Sequence, residues 1–269
     1  MRNPPRPALA ALWLSLALGA CDSKPAAESG AASTASAAPA PTPTPTPAPT
    51  PSAEAPRPPR QKKKLSDCPA GNEVKIESAG IEQEIRKKLE KPSGAITKAD
   101  LKRVKSLNIS QVKDLAELDP CLFTPMTGLK ELFLGPGDYD DLSPIAGATG
   151  LESLRASINQ VKDLTPLEKL TKLDRLDLGR TQVSDLKPLA KLKNLTELQL
   201  DDTQIEDVTP LGSLENLENL SIKRTKVKDG SPLKTLKKLK FLYINGTPLD
   251  DDPLSIGPLR GQGTKVISE

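Results

Sequence analysis

Apolar residues recur with a fixed period along the second half of the chain. Six consecutive blocks of 22 residues, beginning at positions 128, 150, 172, 194, 216 and 238, repeat one pattern without a gap. The third block fits it closely, with apolar residues at Leu173, Leu176, Leu178, Val183, Leu186, Leu189 and Leu192. A period of this length indicates a solenoid, in which one short unit stacks on copies of itself. Because a solenoid has a long surface and few clefts, the repeat favours a binding function.

Each block is expected to contain one short strand. Leu176 and Leu178 point into the core, so Arg175 and Asp177 point out on the opposite face of the same strand. Equivalent positions in the other blocks extend this outward face along the array. The candidate partner-binding residues on it are Phe133, Arg155, Arg175, Asp177, Gln199, Asp201, Lys223, Phe241 and Tyr243.

Aromatic residues are concentrated on the outward face. The chain has only three Phe, two Tyr and one Trp, yet Phe133, Phe241 and Tyr243 all occupy outward strand positions. Large aromatic side chains on a polar face are typical binding anchors. The alternative is that Phe133 and Tyr243, which belong to the first and last blocks, pack beneath the ends of the array.

Two polar columns follow the same period. The first comes after the strand, where a hydroxyl or amide is expected to bond the backbone of a neighbouring coil; its members are Asn159, Thr181, Thr203, Thr225 and Thr247. The second is a column of aspartates at Asp141, Asp163, Asp185, Asp207, Asp229 and Asp251. Each aspartate comes just before a turn, where a short carboxylate accepts backbone N–H bonds. We therefore expect turn caps rather than a metal site.

Charge alternates between blocks. The third and fifth blocks are rich in bases, whereas the fourth has six acids and no base. Arg180, Asp202 and Arg224 share one block position and are expected to lie side by side at the rim. They form either a ladder of exposed ion pairs or a stripe that recognises a partner.

The N-terminal 20 residues are typical of a secretory signal. Arg2 and Arg6 precede an apolar run from Ala8 to Ala20, which is too short to span a bilayer. The sequence Leu18-Gly19-Ala20-Cys21 resembles the bacterial lipoprotein box, which implies acylation of Cys21 and attachment to a membrane. The alternative is an ordinary signal peptide with an incidental cysteine.

A low-complexity segment follows Cys21. From Pro25 to Pro56 nearly all residues are Ala, Pro, Ser or Thr, so the segment cannot bury an apolar core and is expected to be an unfolded tether. Residues 57–64 add five positive charges. They are interpreted as a solvated end of the tether, with contact to anionic lipid or wall polymer as the alternative.

The composition argues against catalysis. The chain contains no histidine, which removes imidazole bases, the usual nucleophile triads and most zinc sites. There is no glycine-rich phosphate loop. The formal charge of +3 is too small to indicate a nucleic-acid partner. We therefore expect no enzyme activity, no cofactor, no metal and no nucleic acid.

Two cysteines remain once Cys21 is set aside. Export to an oxidising compartment and an even count favour a disulfide between Cys68 and Cys121. Two buried free thiols are the alternative.

The segment before the repeats has helical character. Ile81, Ile85 and Leu89 form one apolar face over residues 80–91, and Thr97 to Asp100 is typical of a capping box that opens a second short helix. Residues 106–115 look like a shortened first repeat. Such a segment caps the open end of a solenoid.

The run IEQEIRKKLEKPSGAITKADLKRVKSLNIS (81–110), followed by repeats with the motif DLxPL, resembles the internalin-type leucine-rich repeat proteins of bacteria. The resemblance implies an α/β horseshoe with a parallel concave sheet, short 3-10 turns on the convex side, and a helical N-terminal cap. It also implies recognition of a protein by the concave sheet. The expected domains are the signal (1–20), the tether (21–65), the cap and first repeat (66–127), six repeats (128–259) and a C-terminal tail or cap (260–269).

The sequence thus predicts a monomeric, lipid-anchored module of the bacterial cell envelope. The expected partner is a protein held on the concave face, and the membrane is contacted through Cys21. The alternative is a structural scaffold of the envelope that contacts wall polymer or membrane complexes.

Overall fold

The computed structural model describes residues 62–112 and 115–268. In these residues eight strands form one parallel sheet, in the order in which they follow along the chain. The strands are β1 (Ser106–Ile109), β2 (Glu131–Leu134), β3 (Ser153–Arg155), β4 (Arg175–Asp177), β5 (Glu197–Gln199), β6 (Asn219–Ser221), β7 (Phe241–Tyr243) and β8 (Lys265–Ile267). From β2 to β7 the strands begin 22 residues apart, so the period of the sequence is the period of the sheet.

One leucine from each repeat forms a continuous column through the core. These leucines are in register on neighbouring strands, and none is more than 2% exposed: Leu132, Leu154, Leu176, Leu198, Leu220 and Leu242. Ala156 stands where most other blocks have Leu or Ile, and it is also fully buried. Each repeat therefore covers the core of the next.

Short 3-10 turns return the chain from one strand to the next. They are Ser143–Ile145, Thr165–Leu167, Lys187–Lys191, Thr209–Ser213, Ser231–Thr235 and Pro248–Asp251. Each has a proline in one of its first two positions. Proline fits there because a backbone N–H at the start of a helical turn has no partner within the turn. A parallel sheet with such turns on its convex side is the leucine-rich repeat solenoid that the sequence predicts.

Two helices precede the sheet and pack at its N-terminal end. Helix α1 (Ala79–Leu89) buries Ile81 and Ile85, and it ends at Leu89 because Glu90 adopts a left-handed conformation with φ of 54°. Helix α2 (Lys98–Arg103) opens with the predicted capping box of Thr97 and Asp100. A third, single-turn helix α3 (Pro120–Phe123) lies between β1 and β2.

The C-terminal end differs from a plain sixth repeat. Asp252 stands where four of the five earlier blocks have Leu or Val and the fifth has Gly230, and its carboxylate accepts N–H bonds from Leu254 and Ser255. Together with Pro253 this starts helix α4 (Pro253–Gly261) after the last 3-10 turn. The predicted C-terminal tail then supplies β8, which pairs with β7 and extends the sheet.

The aspartate column caps turns at five of its six positions. Asp141, Asp163, Asp185, Asp207 and Asp229 each accept an N–H bond from the residue two positions later, at 2.7 to 2.9 Å. The sixth member, Asp251, lies inside a 3-10 turn, and Asp252 takes the capping role. The residues that the structure describes contain no cluster of three or more His, Cys, Asp or Glu side chains that could hold a metal ion.

These caps predict a loss of stability in acid. Hydrogen bonds from Thr165 and Thr209 hold the pKa of Asp163 and of Asp207 below the usual value. A lowered folded-state pKa gives stability that is present above the unfolded pKa of about 4 and disappears as pH falls through the folded value. The melting temperature should therefore fall steeply below about pH 4. Melting curves from pH 7 to pH 3 test this. Asp163→Asn/Asp207→Asn should flatten the dependence, and an equally steep curve in that variant would contradict the assignment.

The threonine column is structural, but its partner differs from the expectation. Thr181, Thr203 and Thr225 each donate a hydroxyl bond to the carbonyl three residues earlier, at 2.7 to 2.8 Å. That carbonyl belongs to the same coil rather than to a neighbouring one. The hydroxyl thus binds the carbonyl of the first residue after the strand of its own repeat, where the chain turns. Thr247 does the same at 2.7 Å.

Asn159 in the second block connects two coils. Its Nδ2 donates to the hydroxyl of Tyr139 at 3.0 Å and to the carbonyl of Ala156 at 2.6 Å. Tyr139 is fully buried and its pKa is raised by that burial. The amide replaces threonine at the one place where a buried phenol in the preceding coil needs a partner.

The start of the described chain is held against the cap. A disulfide joins Cys68 to Cys121, with the two Cα atoms 5.3 Å apart. Lys62 pairs with Asp140 at 2.7 Å, and Lys63 pairs with Asp119 at 2.8 Å. Lys62 stays exposed, as expected for a solvated end, whereas Lys63 is half-buried because Asp119 of the cap lies within reach. Residues 57–61 lie outside the described part, as do the signal, Cys21 and most of the tether.

Among residues 62–112 and 115–268, no helix is long and apolar enough to cross a bilayer.

Candidate functional site

The concave face consists of outward side chains from β1 to β8. Strand pairing places them in columns, so that Phe133, Arg155, Asp177, Gln199, Ser221 and Tyr243 follow one another across six strands. A second column carries Glu131, Ser153, Arg175, Glu197, Asn219 and Phe241. The alternation predicted from the sequence therefore places all nine candidate residues on or directly beside this face.

Four of the nine candidates are engaged with one another. Arg155 pairs with Asp177 at 3.1 Å, and Lys223 pairs with Asp201 at 3.3 Å. Each pair joins residues one repeat apart; Arg155 and Asp177 lie on adjacent strands, whereas Asp201 and Lys223 lie two residues beyond the ends of β5 and β6. These four charged groups are held in fixed positions. A partner that pairs with one of them has to share it with the group that it already contacts.

The two carboxylates of these pairs are also bound to the backbone. Asp177 accepts the N–H of Gly179 at 3.0 Å, and Asp201 accepts the N–H of Lys223 at 2.9 Å together with the hydroxyl of Ser221. Burial raises the pKa of Asp177 in spite of these bonds. Both carboxylates therefore order the surface of the sheet in addition to any contact with a partner.

Arg175 and Gln199 are the most open of the polar candidates. Both are exposed, and 57% of the Arg175 side chain is accessible. Its nearest acid is Asp174 at 3.7 Å, which is a weak contact in solvent. The guanidinium of Arg175 is thus available to a ligand on the middle of the face.

The aromatic residues occupy both ends of the array. Phe133 lies half-buried on β2, in register with Asn108 of β1 and Arg155 of β3. Phe241 and Tyr243 lie half-buried on β7 with their rings stacked, 6.5 Å between centroids and 20° between planes. None of the three is fully covered by a cap, so each keeps an accessible surface.

Two lysines flank the stacked pair. The Nζ of Lys223 lies 5.5 Å from the centroid of the Tyr243 ring, and the Nζ of Lys265 lies 5.6 Å from that of Phe241. Both distances are within the range of cation–π attraction. The sequence analysis missed Lys265 because it lies outside the six blocks. The alternation of Lys265, Val266 and Ile267 after α4 was the available signal for another strand.

The rim of the face carries the predicted ladder of ion pairs. Arg224 binds the carboxylate of Asp202 through two nitrogens, and Arg180 approaches it at 3.5 Å. The Arg224 bonds hold the pKa of Asp202 below its usual value. All three residues have φ between 52° and 56°, and Ile158 and Gly246 at the same block position are also left-handed, with φ of 61° and 69°. Because the side chains are largely exposed, each pair contributes at most about 1 kcal/mol.

Comparison with known proteins agrees with the repeat and the fold. Residues 149–191 and 171–213 match a family model described as Leucine Rich repeats (2 copies). Internalin C2 of Listeria monocytogenes is similar in structure, with a TM-score of 0.57 and 24% identity over 71% of this chain and 93% of that protein. An internalin (inlF) of the same species has a TM-score of 0.53 and 22% identity, over 70% of this chain and 68% of that protein. At this identity the likeness establishes the solenoid fold. No protein of curated function matches the sequence.

Proposed function

We propose that the chain is a lipid-anchored module of the bacterial cell envelope that binds a protein partner through its concave face. The observation that carries the proposal is the continuous face from β2 to β7, on which half-buried aromatics and an exposed arginine stand among polar and charged side chains. Interfaces are enriched in Tyr, Phe and Arg at the residues that dominate binding. The likeness to internalins supports a binding module without identifying what is bound.

The geometry also gives little support to catalysis. The face is an open sheet, which excludes water poorly, and two of its carboxylates, Asp177 and Asp201, are engaged with arginine, lysine and backbone N–H groups. A reaction site needs a nucleophile or an acid–base group placed in a sheltered pocket. The concave face instead supplies a broad, ordered surface of fixed charges.

Attachment to a membrane is the second part of the proposal. It rests on the resemblance of Leu18-Gly19-Ala20-Cys21 to the lipoprotein box and on the Pro-rich tether that follows. Several acyl chains on Cys21 anchor a protein stably, whereas one chain binds only marginally. The tether would then hold the solenoid away from the bilayer.

Changing the acylated residue tests the anchor. Cys21→Ser should release the protein into the soluble envelope fraction or leave an uncut precursor, because the thiol that carries the lipid is lost. Fractionation of cells and mass measurement of the mature N-terminus check this. Wild-type protein that is found without lipid in the aqueous phase would end the anchor proposal, and a Ser23→Ala variant serves as a control that should stay with the membrane.

Capture from solubilised envelopes distinguishes recognition from scaffolding. One protein retained in a fixed ratio by the wild-type chain supports protein recognition. Retention of wall polymer alone supports the structural alternative. A matched capture with concave-face variants shows whether the retained protein uses this face.

A further inference from the structure

We propose that the C-terminal third of the concave face, formed by β6, β7 and β8, binds an acidic segment of the partner. In this interaction, apolar side chains of the segment pack on Phe241 and Tyr243, and its carboxylates pair with Lys223 and Lys265. The inference rests on the proposed protein-binding function and specifies the chemistry of the partner.

The first observation is the arrangement of rings and cations. Two of the five Phe and Tyr residues of the chain lie on one strand, stacked and half-buried, at outward positions. Their centroids are 6.5 Å apart. Alternate residues of an extended segment lie about 6.8 Å apart on one face, so two neighbouring apolar side chains of such a segment match the two rings.

The second observation is the position of the two lysines. Lys265 is in register with Phe241 on the adjacent strand, and Lys223 lies on the other side of the pair, over Tyr243. Within the described residues no carboxylate lies within ion-pair distance of Lys265. A single carboxylate, Asp201, serves Lys223, and it is also held by Ser221. The rings thus stand between two cations that have capacity for further acids.

The third observation is an uneven distribution of charge over the face. At the outward positions, which are the fourth, sixth and eighth of each block, blocks one to four contain four acids and two bases. The same positions in blocks five and six contain Lys223 and no acid, and β8 adds Lys265. Complementary charge speeds encounter and selects among partners. The C-terminal end of the face therefore favours an acidic segment, and the rest of the face does not.

Peptide titration against the purified full chain tests the inference. The probe is a fluorescent 12-residue peptide that is rich in glutamate and has two leucines at alternate positions, i and i+2. Two comparison peptides replace either its glutamates by lysine or its leucines by serine. We expect the wild-type chain to bind the first peptide at least tenfold more tightly than either comparison, and binding to weaken as salt is raised.

Variants locate the binding. Phe241→Ala/Tyr243→Ala and Lys223→Gln/Lys265→Gln should each weaken the acidic peptide at least tenfold. Lys238→Gln is the control, because it removes one positive charge from an exposed lysine whose Nζ bonds Asn216 outside the face. Melting curves confirm that each variant is folded. If the Phe241→Ala/Tyr243→Ala variant does not fold, Phe241→Leu/Tyr243→Leu replaces it.

Three outcomes of the peptide experiment would overturn the inference. They are no binding of the acidic peptide by the wild-type chain, equal binding of the serine peptide, or equal loss in Lys238→Gln. Equal binding of the serine peptide would mean a non-specific attraction of polyanions. A partner that is captured from envelopes and depends on Phe133 and Arg175 but not on the β7 pair would overturn the acidic-segment inference while leaving the proposed concave-face binding in place.

Discussion

Loss of the bond between Cys68 and Cys121 is expected to lower the free energy of unfolding by about 4 kcal/mol on a chain-entropy model. The two cysteines are 53 residues apart in sequence, and the loop between them contains α1, α2 and β1. In the unfolded chain the bond removes much of the freedom of this loop. Loss of the bond therefore acts mainly by raising the conformational entropy of the unfolded cap, and less by weakening contacts in the folded cap.

Chemical denaturation of a Cys21→Ser background, with and without Cys68→Ala/Cys121→Ala, measures the effect. The denaturant concentration at which the cap unfolds should be lower for the double variant than for the background. Thiol labelling of the denatured, unreduced protein should find no free cysteine in the background. Two labelled thiols, or equal midpoints for the two proteins, would contradict a stabilising disulfide.

Periodicity allowed the sequence to predict the sheet in detail. The strand positions and five of the six aspartate caps follow from a 22-residue pattern in which each residue type recurs in one environment, whereas the 3-10 turns were implied by the resemblance to internalin-type repeats. The helical cap was predicted because Ile81 and Ile85 lie four residues apart and Thr97 opens a capping box. These are local signals, and local signals are what a single sequence carries well.

Features that depend on contacts between distant residues were missed. The docking of Lys62 and Lys63 needs Asp140 and Asp119, which lie 78 and 56 residues away in sequence. The bond from Asn159 to Tyr139 needs one buried phenol in the preceding coil. Nothing in the pattern of either segment alone marks these contacts.

The candidate face was predictable in position and less so in energetics. Alternation along each strand identified its outward residues. The pairs Arg155–Asp177 and Lys223–Asp201 were also implicit, since each joins residues 22 positions apart in a sheet with that period. The same rule was applied to Arg180, Asp202 and Arg224 and predicted their ladder. Lys265 was missed because β8 lies beyond the periodic blocks.

Substitution of concave-face anchors is expected to have the largest effect on binding. Phe133, Arg155, Arg175, Phe241 and Tyr243 should each contribute about 1–4 kcal/mol to the affinity for the partner. Their side chains lie on the surface of the sheet, so their loss leaves the column of core leucines intact. Affinity should therefore fall while the melting temperature changes little.

The measurement that tests the central claim most directly is the dissociation constant of the captured envelope protein for three forms of the chain. They are the wild type, Arg175→Ala/Tyr243→Ala on the concave face, and Lys187→Ala/Lys234→Ala on the convex side. The account predicts that the concave variant binds at least roughly 30-fold more weakly at an unchanged melting temperature, and that the convex variant binds like the wild type. A concave variant that binds with wild-type affinity, or a convex variant that alone loses binding, would contradict recognition through the concave face.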